Sequence, residues 1–246
     1  MTVRETLILA PLTVGSSGDD VKKAQEWLTL AGLGLKIDGV FGDATAAAVR
    51  EFQQSSSLPV TGVIDEPVFA TLTGPIARAI APIAASSSLG GDVCRCAAQH
   101  IAERPREIGG ENRGPWVRLY LDGEEGPEWP WCAGFASYVV AQAAGTRGMP
   151  FKASPSCDEL ANNAKAAGLF RSGDDLDVGS IPPGSLFLVR RQTSPGWHHT
   201  GIVVSATPAA LTTIEGNTND NGSREGYEAI RRFRANKGLD FIVMPT

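Results

Sequence analysis

Apolar residues recur at helical spacing in the first third of the chain and at strand spacing in the last third. Val21, Ala24, Leu28 and Ala31 form one stripe, with Asp19 as the expected N-cap and Gly32 and Gly34 closing the helix. Thr45 to Gln54 repeats the pattern through Ala48, Val49 and Phe52, and a third short helix ends near Leu72. Residues 38–45 and 61–68 read as two copies of one turn-to-helix unit, with Thr61 at the position of Asp38. Gly39 and Gly62 supply turns that other residues resist. Between Gly74 and Gly91 the chain is rich in Ala, Ser, Gly and Pro, which predicts a tether and a domain boundary near residue 90.

Beyond the tether, Val93 to Arg104 is expected to be helical. Cys132, Phe135, Ala136, Val139, Val140 and Ala143 fall on one face of a second helix, with Pro130 just before it, where a helix can begin. A third runs from Cys157 to about Gly168. Strands dominate from Pro183 onward: Ser185–Arg190, His199–Ser205, Ala210–Asn217, Glu228–Arg234 and Phe241–Met244. Helices first and strands later is an α+β pattern. The expected organisation is thus a small three-helix domain (1–74), a linker (75–90) and a larger domain (91–246) with helices packed on an antiparallel sheet.

Composition narrows the partners. The formal net charge is −5 and the pI near 5.3, which argues against nucleic acid or an anionic membrane as the main partner. No apolar run approaches a membrane span. The first ten residues are too short and too acidic for a signal peptide, so the expectation is synthesis in the cytoplasm and action outside only after release. Four cysteines, Cys94, Cys96, Cys132 and Cys157, are too few and too irregular for a disulfide scaffold and read as free thiols. Cys94 and Cys96 would face different sides of a helix and make a poor metal pair. The acidic loop carrying Asp122, Glu124, Glu125 and Glu128 fits no compact calcium loop. The Arg231-Arg232-Phe233-Arg234 run reads as a solvated strand edge. No metal or organic cofactor is expected, and the chain is expected to be a monomer.

The series Gly18…Val21…Ala24-Gln25…Leu28…Asp38-Gly39-Val40-Phe41-Gly42…Thr45…Ala48-Val49…Phe52-Gln53…Leu58…Gly62…Leu72 resembles the three-helix type of peptidoglycan-binding domain. The resemblance implies a non-catalytic module that holds its owner on bacterial cell wall, with the turn Asp38, Gly39, Phe41 and Gly42 as the candidate wall-binding stretch. A binding module tethered to a second domain raises the effective concentration of that domain at its substrate, which favours an enzyme downstream.

The chemistry is sought at Cys132. A thiol in the first turn of a helix meets the positive end of the dipole and unpaired backbone N–H groups, which favour the thiolate. An isolated cysteine in a core helix is otherwise inert. His199 sits on a strand that forms a hairpin with Ala210–Asn217 turning near Pro208. One register sets His199 opposite Asn217 and another opposite Glu215; either places an acceptor beside the imidazole. That is what a general base needs, one ring nitrogen for the nucleophile and the other held by a partner. Gly201 leaves room beside the ring, and His198 points the other way.

Trp131-Cys132-Ala133-Gly134-Phe135, His199-Thr200-Gly201-Ile202-Val203 and Glu215-Gly216-Asn217-Thr218-Asn219 together resemble the cysteine amidohydrolases and peptidases of the CHAP and NlpC/P60 type, on a papain-like fold. The resemblance covers about residues 91–245. It implies Cys132 as nucleophile, His199 as base, and Glu215 and Asn217 as the orienting and polar-stabilising pair. Two departures are visible. Pro183-Gly184-Ser185 stands where the family usually has Pro-Gly-Asp, and Trp131 stands where many CHAP members carry Gln, which shifts the oxyanion toward backbone N–H groups. Trp129, Trp131 and Trp197 flank the site as candidate groove walls.

With a wall-binding module upstream, the implied function is hydrolysis of a peptidoglycan amide, as an N-acetylmuramoyl-L-alanine amidase or a stem-peptide endopeptidase of the phage endolysin kind. Two alternatives stand beside it: the same hydrolase deployed as an interbacterial effector, and an inactive wall-binding adaptor.

Overall fold

The computed structural model describes residues 4–219 and 226–245. The signal-peptide reading of the first ten residues falls in part on residues 1–3, outside that range. In chain order the helices are α1 (Asp19–Leu30), α2 (Asp43–Ser55), α3 (Glu66–Leu72), α4 (Gly74–Ala79), α5 (Leu89–Ala102), α6 (Pro115–Tyr120), α7 (Cys132–Ala144) and α8 (Cys157–Ala166). The strands follow: β1 (Phe170–Ser172), β2 (Leu186–Arg190), β3 (Trp197–Ala206), β4 (Ala210–Thr218), β5 (Glu228–Ala235) and β6 (Leu239–Ile242). The protein combines an N-terminal helical domain with a mixed region of helices and antiparallel sheet. No helix among the described residues is long and apolar enough to cross a membrane.

The chain divides into two compact units, and neither is continuous: residues 1–78 cluster with 107–127, and residues 79–106 with 128–246. This differs from the single boundary expected near residue 90. Two side chains explain part of the shift. The amide groups of Gln99 and Gln142 both donate to the Ala79 carbonyl (2.9 and 3.0 Å), which ties the start of the supposed linker to the second unit. Its end is not a flexible tether either. Ser88 caps α5 by accepting from Gly91 N–H, and the Ser86 N–H and hydroxyl bond the buried Asp92.

In the first unit the two sequence copies are one device built twice. Gln25 lies buried on α1; its Oε1 accepts from Asp38 and Gly39 N–H, and its amide donates to the Val40 carbonyl. Gln53 on α2 does the same for Thr61 and Gly62 N–H and the Val63 carbonyl. Asp38 Oδ1 and Thr61 Oγ1 each accept from the local glutamine and from the N–H two residues on, so Thr61 performs the task of Asp38. Both turns place glycine at positive φ, 71° at Gly39 and 77° at Gly62. Gly18, not Asp19, is the residue before α1; with φ at 111° the position favours glycine.

The later segment 107–127 completes this unit. Trp116 of α6 packs edge-on against Trp27 of α1, with centroids 6.0 Å apart. The Arg118 guanidinium collects three carboxylates: Glu5 at 2.8 Å, Glu26 at 2.6 Å and Glu125 at 2.7 Å. Glu125, part of the acidic loop, also takes Lys22 and the Gly114 N–H (both 2.9 Å), so it closes a turn.

The second unit is built on one antiparallel sheet in the order β1-β6-β2-β3-β4-β5. β1 was not anticipated; three residues with one half-hidden phenylalanine carry little periodic signal. α7 packs on β3, β4 and α5. Gly216 lets it come close, since a Cβ there would lie 2.7 Å from the Phe135 side chain and 2.9 Å from Trp131. Phe187, Val203, Leu211, Leu239 and Phe241 form a cluster closed by Val178 and Ile181. Near-continuous burial along β3 and β4 follows from cover on both faces. The buried Ser185 hydroxyl accepts from Met244 N–H at 3.1 Å. Gly184, at φ 83°, lies against Gly90 so closely that a Cβ would meet its backbone at 2.3 Å.

Candidate active site

Cys132 opens α7, directly after Trp131, with its backbone N–H in the unpaired first turn. Asn217 Oδ1 accepts from the Trp131 N–H at 3.0 Å, and the Asn217 amide donates to the Gly226 carbonyl at 2.6 Å. Asn217, at φ 53°, thus ties the end of β4 to the start of the cysteine helix.

The β3–β4 register pairs Ile202 with Ile214 and Val203 with Thr213, which continues toward His199 beside Asn217. Glu215 therefore faces Gly201 and reaches His199 diagonally: His199 Nε2 lies 2.8 Å from Glu215 Oε2. The sequence left open which of the two acceptors orients the ring, and the geometry gives that place to Glu215. Gly201 makes it possible. A Cβ there would sit 2.8 Å from Glu215 Cγ, 2.8 Å from Phe187 Cε1 and 3.0 Å from the Ile214 carbonyl. Gly201→Ala is expected to push Glu215 off the imidazole and lower by about 10²-fold whatever hydrolysis depends on that pair, the scale of a 1 Å misplacement. Turbidity assays paired with thermal unfolding check this; an unchanged rate in a folded variant would dismiss the steric argument.

Glu215 is fully buried, and every contact holds it ionised. Thr213 Oγ1 donates to Oε1 at 2.6 Å, and the Arg234 fork donates to both oxygens at 3.0 and 2.6 Å. Burial works against the carboxylate, but His199 and Arg234 outweigh it and draw it down to about 2. Arg234 corrects the reading of the 231–234 run as a solvated edge. Arg231, Arg232 and Arg234 look alike in sequence; Arg232 and Arg234 share a face of β5, and only the side-chain contacts show that Arg234 turns to Glu215 while Arg232 reaches Thr218 Oγ1.

With Nε2 engaged, Nδ1 is the nitrogen left for chemistry. It is buried and makes no hydrogen bond of good geometry among the described residues. Burial depresses the imidazolium, yet the Cys132 thiol and Glu215 carboxylate raise the ring to about 9. Cys132 moves the opposite way. The thiol of Cys157, 3.8 Å from it, then the imidazole and the Thr200 N–H, hold Cys132 well below the ordinary thiol range despite its burial. The arrangement can therefore carry a thiolate–imidazolium pair.

Cys132 opens onto a cleft of about 300 Å³ lined by Glu128, Trp129, Cys157, Arg191, Trp197 and His198, among others. Trp129 and Trp197 take the expected places on its walls. Trp197 is braced by its N–H to Asp158 (2.7 Å), its indole N–H to Asp240 (2.8 Å) and Lys165 over its ring. Trp131 does not: it is fully buried against Phe135 and Gly216, which excludes it as a groove wall. His198, set aside in the sequence because it alternates away from His199, lines the cleft. Cys157 was not singled out either; a lone cysteine opening a helix carries no signal of its partner. Among the described residues no group of three or more His, Cys, Asp or Glu side chains is placed to hold a metal ion.

In the first unit, the candidate wall-binding stretch separates by burial. Asp38 and Gly39 are held by Gln25, with Asp38 exposed and Gly42 half-buried. Phe41 is 1% exposed and belongs to the core, so it is not available for contact.

Residues 17–72 match a protein family described as a peptidoglycan binding domain. The match is confined to this segment of the first unit. Comparison with curated proteins finds no match. Among solved structures, the N-terminal domain of SleB is similar at 37% identity, covering 26% of this chain and 89% of that one, with a TM-score of 0.26. A fused Zn-dependent amidase/peptidase/peptidoglycan-binding protein from Clostridium acetobutylicum is 14% identical over 92% of this chain (TM-score 0.25). The Burkholderia AP3 phage endolysin is 21% identical over 64% (TM-score 0.26). This chain spans 61% of the length of each of the last two.

Proposed function

We propose that this protein is a peptidoglycan hydrolase that cleaves an amide bond of the cell wall with Cys132 as nucleophile, on a papain-like domain of the CHAP and NlpC/P60 type. The observation that carries the reading is the line Cys132–His199–Glu215: a helix-start thiol on an open cleft, beside an imidazole whose far nitrogen is held at 2.8 Å by a buried carboxylate. The wall-binding domain supplies the substrate class. In this reading the protein is made in the cytoplasm and acts on the wall after release.

The Cys132 thiolate attacks the amide carbonyl carbon, and the carbonyl pair of electrons moves onto oxygen. The Cys132 backbone N–H, free in the first turn, faces the developing charge. His199 Nδ1 passes its proton to the leaving nitrogen, the C–N bond breaks and a thioester remains. Water then gives a proton to Nδ1 as it attacks the thioester, and the thiolate leaves. Apo distances at such sites commonly tighten when substrate binds. Glu215 keeps the ring oriented and the imidazolium stabilised throughout. Trp129 and Trp197 flank the bound chain.

The pair sets the pH dependence. Activity requires Cys132 ionised and His199 protonated. The thiol sits low, so the acid limb of kcat/KM falls below the ordinary thiol range. His199 loses its proton above about 9, so the alkaline limb falls there. A rate that climbs steadily through pH 9 would contradict the ion pair. Mass spectrometry of digested muropeptides tests the bond: a new amino terminus on L-alanine means amidase, and one within the stem means endopeptidase. Intact muropeptides from active-looking, folded protein would instead support the adaptor reading.

A further inference from the structure

One group at the site makes and breaks no bond in that mechanism. Cys157 begins α8, capped by Ser156, whose hydroxyl accepts from Glu159 N–H. Its sulfur lies 3.8 Å from that of Cys132, and both line the same cleft, at 8% and 3% exposure. The two thiols are 25 residues apart in sequence and come from different helices. Neither is paired in a disulfide.

We propose that Cys132 and Cys157 form a reversible redox modification site, in which a hydroperoxide entering the cleft converts the nucleophile into an intramolecular disulfide. In the first step the Cys132 thiolate attacks one peroxide oxygen and the O–O bond breaks. Cys132 becomes a sulfenic acid, and the other oxygen leaves as hydroxide from hydrogen peroxide, or as alkoxide from an organic hydroperoxide, and takes up a proton to become water or the alcohol. In the second step the Cys157 sulfur attacks the Cys132 sulfur. The S–O bond breaks, the S–S bond forms, and the Cys157 proton departs with the hydroxyl as water. Peroxide is reduced and two thiols are oxidised. A dithiol reverses the change by exchange, ending as its own cyclic disulfide.

Geometry favours this pair. The sulfurs must close from 3.8 Å to about 2.05 Å, a movement within reach of side-chain rotation at two helix starts. The two thiols are also set for different tasks. Cys132 is held toward the thiolate that attacks peroxide, whereas its bond to Cys132 and burial keep Cys157 protonated until a sulfenic acid stands beside it. Disulfide formation removes the nucleophile, and the same bond shields Cys132 from irreversible oxidation to sulfinic acid.

The inference needs only the thiols and stands apart from the hydrolase reading, so its primary readout is mass. The full chain is treated with hydrogen peroxide at near-stoichiometric amounts, blocked with an alkylating agent, and digested for peptide mass spectrometry. The expected result is a Cys132–Cys157 cross-linked peptide that dithiothreitol resolves into two free thiols. The cross-link persists in a variant carrying Cys94→Ser and Cys96→Ser. In Cys157→Ser the cross-link is lost and Cys132 accumulates as sulfinic acid that dithiothreitol does not reverse. Sulfinic acid at Cys132 of the wild-type chain without any cross-link would overturn the proposal, whatever the variants do. Where wall hydrolysis is measurable, it is lost with peroxide and regained with dithiol.

Discussion

Cys132→Ala is expected to reduce hydrolysis of purified peptidoglycan by roughly 10⁴-fold or more, the scale seen when a nucleophile is removed from a catalytic unit. The size follows from the proposed chemistry. The sulfur forms the only covalent bond to the substrate, and His199, left without it, has only water to activate. Sedimentation with wall should be unaffected, because residues 17–72 lie in a different compact unit from Cys132. The fold should survive as well. The substitution removes one sulfur at a helix start, while the Asn217 bond that anchors this turn is made by the neighbouring Trp131 N–H. Equal turbidity loss by variant and wild type would sink the cysteine mechanism, and loss of both activities would point to misfolding.

The second large effect concerns stability. Arg118→Met in α6 is expected to destabilise the first unit by about 3–5 kcal/mol at neutral pH, the cost of removing one side of a buried ion cluster. Burial raises Glu26 above the ordinary carboxylate range even with Arg118 in place. Glu125, although burial opposes it, is drawn down to about 2 by the Gly114 N–H, Lys22 and Arg118. Removing the guanidinium takes away the one cation shared by Glu5, Glu26 and Glu125, leaving Lys22 to answer Glu26, and Lys22 with Arg113 to answer Glu125. The sign with pH is fixed by Glu125. Its folded value is below the unfolded one, so its contribution is present above about 4.5 and is lost as pH falls through about 2. The gap between wild type and variant should therefore narrow in acid. Thermal unfolding at pH 7 and pH 3 measures it; at pH 7 the midpoint should fall by upwards of about 10 °C. A gap independent of pH would mean that Arg118 acts by packing alone.

The legible parts of this chain were those written in local pattern. The stripes of α1, α2 and α7, the twin turns after Asp38 and Thr61, and four of the strands nearly to their ends could be read from spacing, because helix and strand periods are properties of a few consecutive residues. The placement of Cys132 at a helix start and the hairpin beside His199 belong to the same class. Errors came where a short motif has more than one use. Serine, glycine and proline before α5 suggested a tether, yet Ser88 is its cap and Gly90 is a close contact with Gly184.

What the sequence by itself determined is therefore the inventory: a repeated turn-helix unit, a thiol at the head of an apolar helix, and an imidazole one hairpin away from a carboxylate. Only the tertiary structure decided how these are joined. It put 107–127 with the N-terminal helices, chose Glu215 for His199 and Asn217 for the Trp131 N–H, and turned Arg234 inward. It also buried Trp131 and Phe41, and set Cys157 beside Cys132. The reason is physical: each of these depends on residues 16 or more positions apart, or on which face of an element is covered. Such pairings are set by packing and register across the whole unit, which a local period does not encode.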